Sequence, residues 1–233
     1  MAVLYLLPAF LGENSPKNIF SEQEMNLLKE LKHFASENEK TARRFIKFLC
    51  PEVIQSELSF SVLNKRTSQQ EIELLAEPLK KGENMGLISE AGLPCIADPG
   101  NLLVSWCHRN DIRVFPVNGP SSIILALIAS GLNGQSFSFH GYLPIDSQQR
   151  KKSVQHLESI SKNTGSSQIF METPYRNQSL FDDLLKYLHP QTQLCVATHI
   201  TLPDETILTL SCREWKAKKM DFHKKPTIFI IQA

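Results

Sequence analysis

The chain has no apolar run approaching the roughly 18 residues that a membrane-spanning helix needs. It has no excess of either charge, because 25 Lys and Arg stand against 24 Asp and Glu, a formal net charge of +1 over 233 residues. The first absence argues against a helical span, and the second against a global electrostatic commitment to nucleic acid or lipid headgroups. It also has no CxxC pair: Cys50, Cys95, Cys107, Cys195 and Cys212 are odd in number and far apart. That spacing disfavours zinc ribbons and disulfide frameworks and points to reduced, buried thiols in a cytoplasm. Internal repeats and low-complexity stretches are missing too. The opening MAVLYLLPAFLG lacks a basic segment before its apolar residues and breaks at Pro8. It therefore reads as a buried first strand rather than a secretory signal.

What is present is an ordinary globular composition, 42% apolar and 21% charged, long enough for one large or two modest domains. The first half alternates strand and helix. Strands are expected at Val3 to Leu7, His33 to Ser36, Phe60 to Leu63, Met85 to Ser89 and Ile112 to Val117. Between them lie a helix from Ser21 to His33 with Ser21 and Glu24 as a capping box, a basic helix from Thr41 to Leu49, a helix from Gln69 to Lys80 capped by Ser68, and one from 102 to 109. This is the pattern of a doubly wound, mostly parallel layer. A boundary falls near 116 to 120, giving an α/β domain over 1–117 and a second over 118–233. The second begins with a helix at 121 to 130 that is apolar on nearly all sides, the pattern of a helix buried between layers. Strands at Ser136 to Tyr142 and Gln168 to Glu172, helices at 147 to 163 and Asn177 to Leu188, and largely antiparallel strands at Gln193 to Ile200, Ile207 to Ser211 and Thr227 to Ile231 complete it.

The stretch from Gly86 to Leu132 is the richest in turn residues placed where strands and helices end. Ala91-Gly92-Leu93-Pro94 and Asp98-Pro99-Gly100 follow one strand, and Asn118-Gly119-Pro120 follows the next and opens a helix at Ser121-Ser122. Turns after the C-terminal ends of strands are where α/β sheets hold ligands. Three further clusters accompany it. They are Phe137-Ser138-Phe139-His140-Gly141-Tyr142-Leu143-Pro144 with Arg150 after it, Glu172-Thr173-Pro174-Tyr175-Arg176, and Thr198-His199-Ile200-Thr201-Leu202.

In this order the motifs resemble those of the tetrapyrrole methylase superfamily of S-adenosylmethionine-dependent methyltransferases. They are most similar to the branch that methylates a cytidine ribose 2′-hydroxyl in 16S, small-subunit ribosomal RNA. That branch shows S-D-A-G-T-P-x-x-S-D-P-G where this chain has Ser89-Glu90-Ala91-Gly92-Leu93-Pro94-Cys95-Ile96-Ala97-Asp98-Pro99-Gly100. It shows E-S-P-x-R where this chain has Glu172-Thr173-Pro174-Tyr175-Arg176. The resemblance implies two α/β domains, a mostly parallel N-terminal sheet and a mixed or antiparallel C-terminal one, with the methyl donor in the cleft between them, in a cytoplasmic homodimer. It implies S-adenosyl-L-methionine as donor, no metal, no membrane, and ribosomal RNA or the 30S subunit as partner. Carried over position by position, the donor would be held by Pro8, Gly92, Leu93, Ile96, Ser121 and Ser122, and by Met171, Thr198 and Thr227. Departures fall on the acceptor side. E-D-T-R is Glu37-Asn38-Glu39-Lys40, R-E-L-T-K is Thr198-His199-Ile200-Thr201-Leu202, and T-P-I-G-N-L is Leu7-Pro8-Ala9-Phe10-Leu11-Gly12. Two alternatives stay open: methylation of a porphyrin or corrin ring, and a donor-binding paralogue impaired in catalysis.

Methyl transfer from a sulfonium is mostly a matter of positioning, but a hydroxyl acceptor must also lose a proton. Glu90, Glu172 and Glu37 are the expected catalytic carboxylates; Asp98 is a fourth candidate base or a turn-stabilising residue. No His–carboxylate or Cys–His arrangement signals covalent catalysis, and His140 reads as structural. Substrate contacts are expected from Lys40, Arg43, Arg44, Arg150 and Arg176. Three basic runs carry the RNA footprint: Lys40, Arg43, Arg44 and Lys47 on one helical face, Arg150 to Lys152, and Lys216, Lys218, Lys219, Lys224 and Lys225.

Overall fold

The computed structural model describes residues 2–12 and 20–233. Contacts divide the chain into two compact units, Met1–Ser121 and Ser122–Ala233. The division falls four residues beyond the boundary expected from the sequence. The turn at Asn118-Gly119-Pro120 belongs to the first unit because Gly119 packs on Pro8, where an added Cβ would lie 2.3 Å from the proline ring.

In the N-terminal unit, β1 (Val3–Leu7), β2 (His33–Ser36), β3 (Ser59–Val62), β4 (Met85–Ile88) and β5 (Arg113–Pro116) form one sheet in the order β3-β2-β4-β1-β5. Every pairing is parallel. A parallel pair needs a crossover, and α1 (Glu22–Glu30), α2 (Glu39–Leu49), α3 (Gln69–Leu75), α4 (Glu77–Lys80) and α5 (Asn101–Arg109) supply them. Side chains alternate along β1: Ala2 and Leu4 join a core with α3 and α5, Leu7 and Ala9 one with α1 and α2. The helix expected from Gln69 to Lys80 is broken at Ala76. Pro78 has no N–H for the Leu74 carbonyl and its ring crowds that oxygen, so the chain restarts as α4. α2 begins two residues earlier than expected because the Asn38 side chain accepts from the Lys40 and Thr41 amides at 3.0 and 3.3 Å.

The C-terminal unit contains α6 (Ser122–Ser130), β6 (Phe137–Tyr142), α7 (Ser147–Thr164), β7 (Ser167–Met171), α8 (Asn177–Tyr187), β8 (Gln193–Thr198), β9 (Thr206–Ser211), α9 (Cys212–Trp215) and β10 (Thr227–Gln232). Its sheet runs β6-β7-β10-β8-β9, with β6 and β7 parallel and the other pairings antiparallel. Phe229 and Ile231 of β10 point into a core closed by α7, α8 and α9. Their alternates Ile228 and Ile230, outside that core yet buried, mark the opposite face, where α6 lies against β10, β9 and β8. α6 is not buried all round, as its composition led us to expect. Ile124 is 42% exposed and Ile128 71%, because α6 has sheet on one side only within its unit.

Candidate functional site

All five parallel strands of the N-terminal unit end on one edge of the sheet, so the loops that follow them meet there. Ala9 and Gly92 exchange backbone hydrogen bonds, Ala9 N–H to Gly92 O at 2.8 Å and Gly92 N–H to Ala9 O at 3.2 Å, tying the loop after β1 to the loop after β4. The Ser89 hydroxyl donates to the same Gly92 oxygen at 2.6 Å. Gly92 sits at φ 71°, where a Cβ would meet Leu11 at 3.1 Å and the Pro120 carbonyl at 3.2 Å. Only glycine allows the three loops this approach. The loop continues through Cys95 and Ala97, both at positive φ, the kind of backbone strain that clusters at ligand sites. Of the expected donor residues, Pro8, Gly92, Leu93, Ile96 and Ser121 belong to these loops, and Ser122 is the first residue of α6. Gly92 and Ser121 are buried, whereas Ile96 is 42% exposed.

Three carboxylates stand on the same edge. Ser36 and Ile88 are register partners, so Glu37 and Glu90 emerge from adjacent strand ends, and Asp98 comes from the loop after β4. Burial, then the charge of Glu37, raises the Glu90 carboxyl above its ordinary value, while hydrogen bonds from the Thr41 hydroxyl and the Asn38 backbone pull the other way. Burial, then the charges of Glu37 and Glu90, pushes Asp98 up to about 6, with Lys65 opposing. Between α2 and the loops after β1 and β4 lies a cavity of about 460 Å³, lined by Phe10, Phe45 and Phe48 together with Thr41, Arg44 and Glu90. Another, of about 340 Å³, lies along β5. Glu24, the one carboxylate among the described residues that line it, is spent in the capping box of α1.

In the C-terminal unit the three expected donor residues fall at one end of the sheet. Thr198 of β8 and Thr227 of β10 are register partners, and Met171 of β7 pairs with the next residue, Ile228. Beside Met171, Glu172 has a side chain only 1% exposed. Its Oε1 accepts from the Thr173 amide and from Arg176 Nη2, each at 2.6 Å. That holds Glu172 and Arg176 to one another. Buried Glu172 Oε2, Arg176 Nε, Asn177 Oδ1 and Thr201 Oγ1 have no hydrogen-bond partner among the described residues.

The expected cations divide into two sets. Lys40, Arg44 and Lys47 are exposed on α2 at positions four and three residues apart, hence on one face. Arg43 is engaged inside the fold: it donates to Glu39, to the Gln55 carbonyl and to the Leu58 carbonyl, and covers the Phe60 ring at 4.5 Å. Arg150 is buried, ion-paired with Asp183 and donating to the Ile145 carbonyl at 2.8 Å. His140 bonds Gln168 across β6 and β7 at 2.7 Å. The sequence reading missed a His–carboxylate pair: His199 Nδ1 lies 2.6 Å from Asp204 Oδ2. The pair sits in the loop that follows Thr198, with His199 at φ 50° and Thr201 at φ 72°. The departure of Thr198-His199-Ile200-Thr201-Leu202 from the branch pattern was the available signal.

The profile of the family described as Tetrapyrrole (Corrin/Porphyrin) Methylases matches residues 20–215. The chain is 33% identical over 172 residues to the "Ribosomal RNA small subunit methyltransferase I" of Vibrio cholerae serotype O1, covering 72% of this chain and 58% of that protein. It is 32% identical over 176 residues to the protein of the same name from Haemophilus influenzae, covering 74% and 61%. The chain thus spans about three fifths of the length of either relative. The crystal structure of the methyltransferase CobJ superposes with a TM-score of 0.62 at 14% identity, covering 99% of this chain and 93% of that one, a likeness of fold.

Proposed function

The chain belongs to the tetrapyrrole (corrin/porphyrin) methylase family, and from that premise we propose that it transfers a methyl group from S-adenosylmethionine to the ribose 2′-hydroxyl of a cytidine in small-subunit ribosomal RNA, in the cytoplasm. The observation that carries this reading is the edge of the N-terminal sheet. A Gly92 loop that approaches other backbone closely stands there beside three carboxylates, of which Asp98 is lifted to about 6 by burial and then by the charges of Glu37 and Glu90.

The donor supplies an electrophilic methyl carbon. The residues proposed to hold it are Gly92, Leu93, Ile96 and Ser121 in the N-terminal unit, and Met171, Thr198 and Thr227 in the C-terminal unit. The fit rests on two features. Gly92 leaves no room for a side chain, so only backbone lines that turn. Glu172, next to Met171, and Thr201, three residues after Thr198, carry buried polar atoms without a partner among the described residues, as a site that hydrogen-bonds a ligand requires. Asp98 is the proposed proton acceptor, because a general base works best with a pKa near the working pH. Burial raises that pKa most, and the charges of Glu37 and Glu90 add to it. Glu172 positions the Arg176 loop.

The names of the relatives support RNA over a macrocyclic acceptor. So does Ala91-Gly92-Leu93-Pro94, which stands where ring methylases carry G-G-D-P. A labelled-methyl assay on 30S subunits and on porphyrinogen separates these acceptors. Asp98→Asn is expected to lower kcat by roughly 10²- to 10⁴-fold with donor binding intact. Donor binding by the unaltered chain with no label in 30S subunits or free RNA rejects the RNA reading. The homodimer implied by the resemblance is proposed to cover Ile128, 71% exposed on α6. Light scattering should then find Ile128→Glu at half the mass of the parent.

A further inference from the structure

We propose that the cavity between α2 and the loops after β1 and β4 seats the unstacked cytosine base of the acceptor nucleotide, with Phe48 and Phe10 as its apolar walls and Glu90 reading the exocyclic amine. This assignment rests on the RNA reading above and adds to it which surface selects the nucleotide.

An enzyme acting on one nucleotide of a folded RNA gains access by turning that nucleotide out of its stack. The lost stacking is recovered on aromatic side chains, which is how single-stranded bases are held generally. The cavity has the composition for this. Its volume of about 460 Å³ lies in the range of small-molecule pockets. Phe10 meets Phe20, Phe45 and Phe48 edge-on, with ring centroids 5.2, 5.4 and 5.5 Å apart. Such a cluster fixes the ring planes, and Phe48 at its rim is 43% exposed. Gly12 and Ala91 add no bulk to the walls. At the polar side, Glu90 is oriented by the Thr41 hydroxyl and the Asn38 backbone. A carboxylate accepts from the N4 amine of cytosine and is repelled by the O4 oxygen that uracil presents at the same place. Arg44 at the cavity wall and Lys40 and Lys47 beyond it share the exposed face of α2. Phosphates flanking a turned-out nucleotide would meet cations there, contacts that position the strand without reading it.

The test uses the full chain and three nine-nucleotide, fluorescein-labelled single-stranded RNAs that differ only at the centre: cytidine, uridine or an abasic site. Polarisation should rank cytidine above uridine above abasic. Phe48→Ala should reduce the cytidine RNA to the abasic affinity, a loss of roughly five- to 150-fold by the strength of base–aromatic stacking, and leave the abasic RNA unchanged. Glu90→Gln should abolish the preference for cytidine over uridine while both still bind more tightly than the abasic RNA. Circular dichroism establishes that each variant is folded. Equal affinity of the unaltered chain for all three RNAs, or base discrimination that survives both substitutions, overturns the proposal. Methyl transfer to 30S subunits is measured alongside. Transfer without discrimination removes the pocket and leaves the RNA reading. Discrimination without transfer to any RNA keeps the pocket as a cytosine site and removes the methyltransferase reading.

Discussion

Asp98 shows what burial among like charges does to one side chain. Its carboxyl is raised from 3.8 to about 6 in the folded chain. The folded state therefore holds this proton more tightly than the unfolded state does. The corresponding stability is fully present below about pH 4, is lost as pH rises through about 6, and stays absent at neutrality. Asp98→Asn removes that loss. Because the group is half-exposed, solvent screening reduces the effect, and a gain of about 1 kcal/mol corresponds to roughly 2–4 °C for a chain of this size. Melting temperatures of the two proteins should differ by that amount at pH 7 and coincide at pH 4; coincidence at both would show that burial and the neighbouring carboxylates do not raise the Asp98 carboxyl. The substitution would thus stabilise the chain while slowing the proposed reaction, a trade common at active sites. Much of this edge was legible from the sequence, because Gly92, Pro94, Pro99 and Gly100 punctuate it and glycine and proline restrict the backbone in known ways. The fate of the arginines was not legible. A count of basic residues does not say which guanidinium will find carbonyls, and Arg43 finds the oxygens of Gln55 and Leu58 only through the turn between α2 and β3.

Among the elements, α7 and α8 are joined by the Arg150–Asp183 pair, whose side chains are 9% and 17% exposed. Removing one partner of a buried pair leaves the other charged and desolvated. Arg150→Ala is therefore expected to cost about 3–5 kcal/mol in urea unfolding, far more than a surface arginine would; a loss below about 1 kcal/mol would mean that water reaches Asp183. Capping chemistry explains why helix starts were readable. Ser21 with Glu24 and Ser68 with Glu71 form the reciprocal boxes that their spacing announces. A third box, Ser211 with Glu214, opens α9 and was overlooked. α9 is a single turn, too short to show an apolar period, so the box was its only signal. The break at Ala76 was overlooked for the opposite reason: the apolar period continues through Pro78, and only the missing amide of that residue stops the helix.

Across the whole molecule, the near-zero net charge conceals an uneven surface, since many of the acids are consumed in caps and pairs while Lys40, Arg44 and Lys47 face solvent. If these three contact phosphates, the plot of log affinity against log salt for a single-stranded RNA should be steep. The triple alanine variant should lessen its slope by about 2, at roughly 0.7 per phosphate contact. An unchanged slope assigns the phosphate contacts to another surface, with Lys216 to Lys225 the next to test. The parallel sheet has a further consequence, for the order in which the chain can fold. β1 lies between β4 and β5, with Leu4 opposite Met85 and Val3 opposite Arg113. An emerging polypeptide therefore carries β1 unpaired until β4, some eighty residues later, has been made, and with one edge open until β5 follows. Such distant pairing slows folding and leaves strand edges open to aggregation. The antiparallel β8 and β9, neighbours in sequence, face no such delay. The rate of production of folded protein should accordingly be set by the N-terminal unit, the same unit whose strand ends carry the carboxylates.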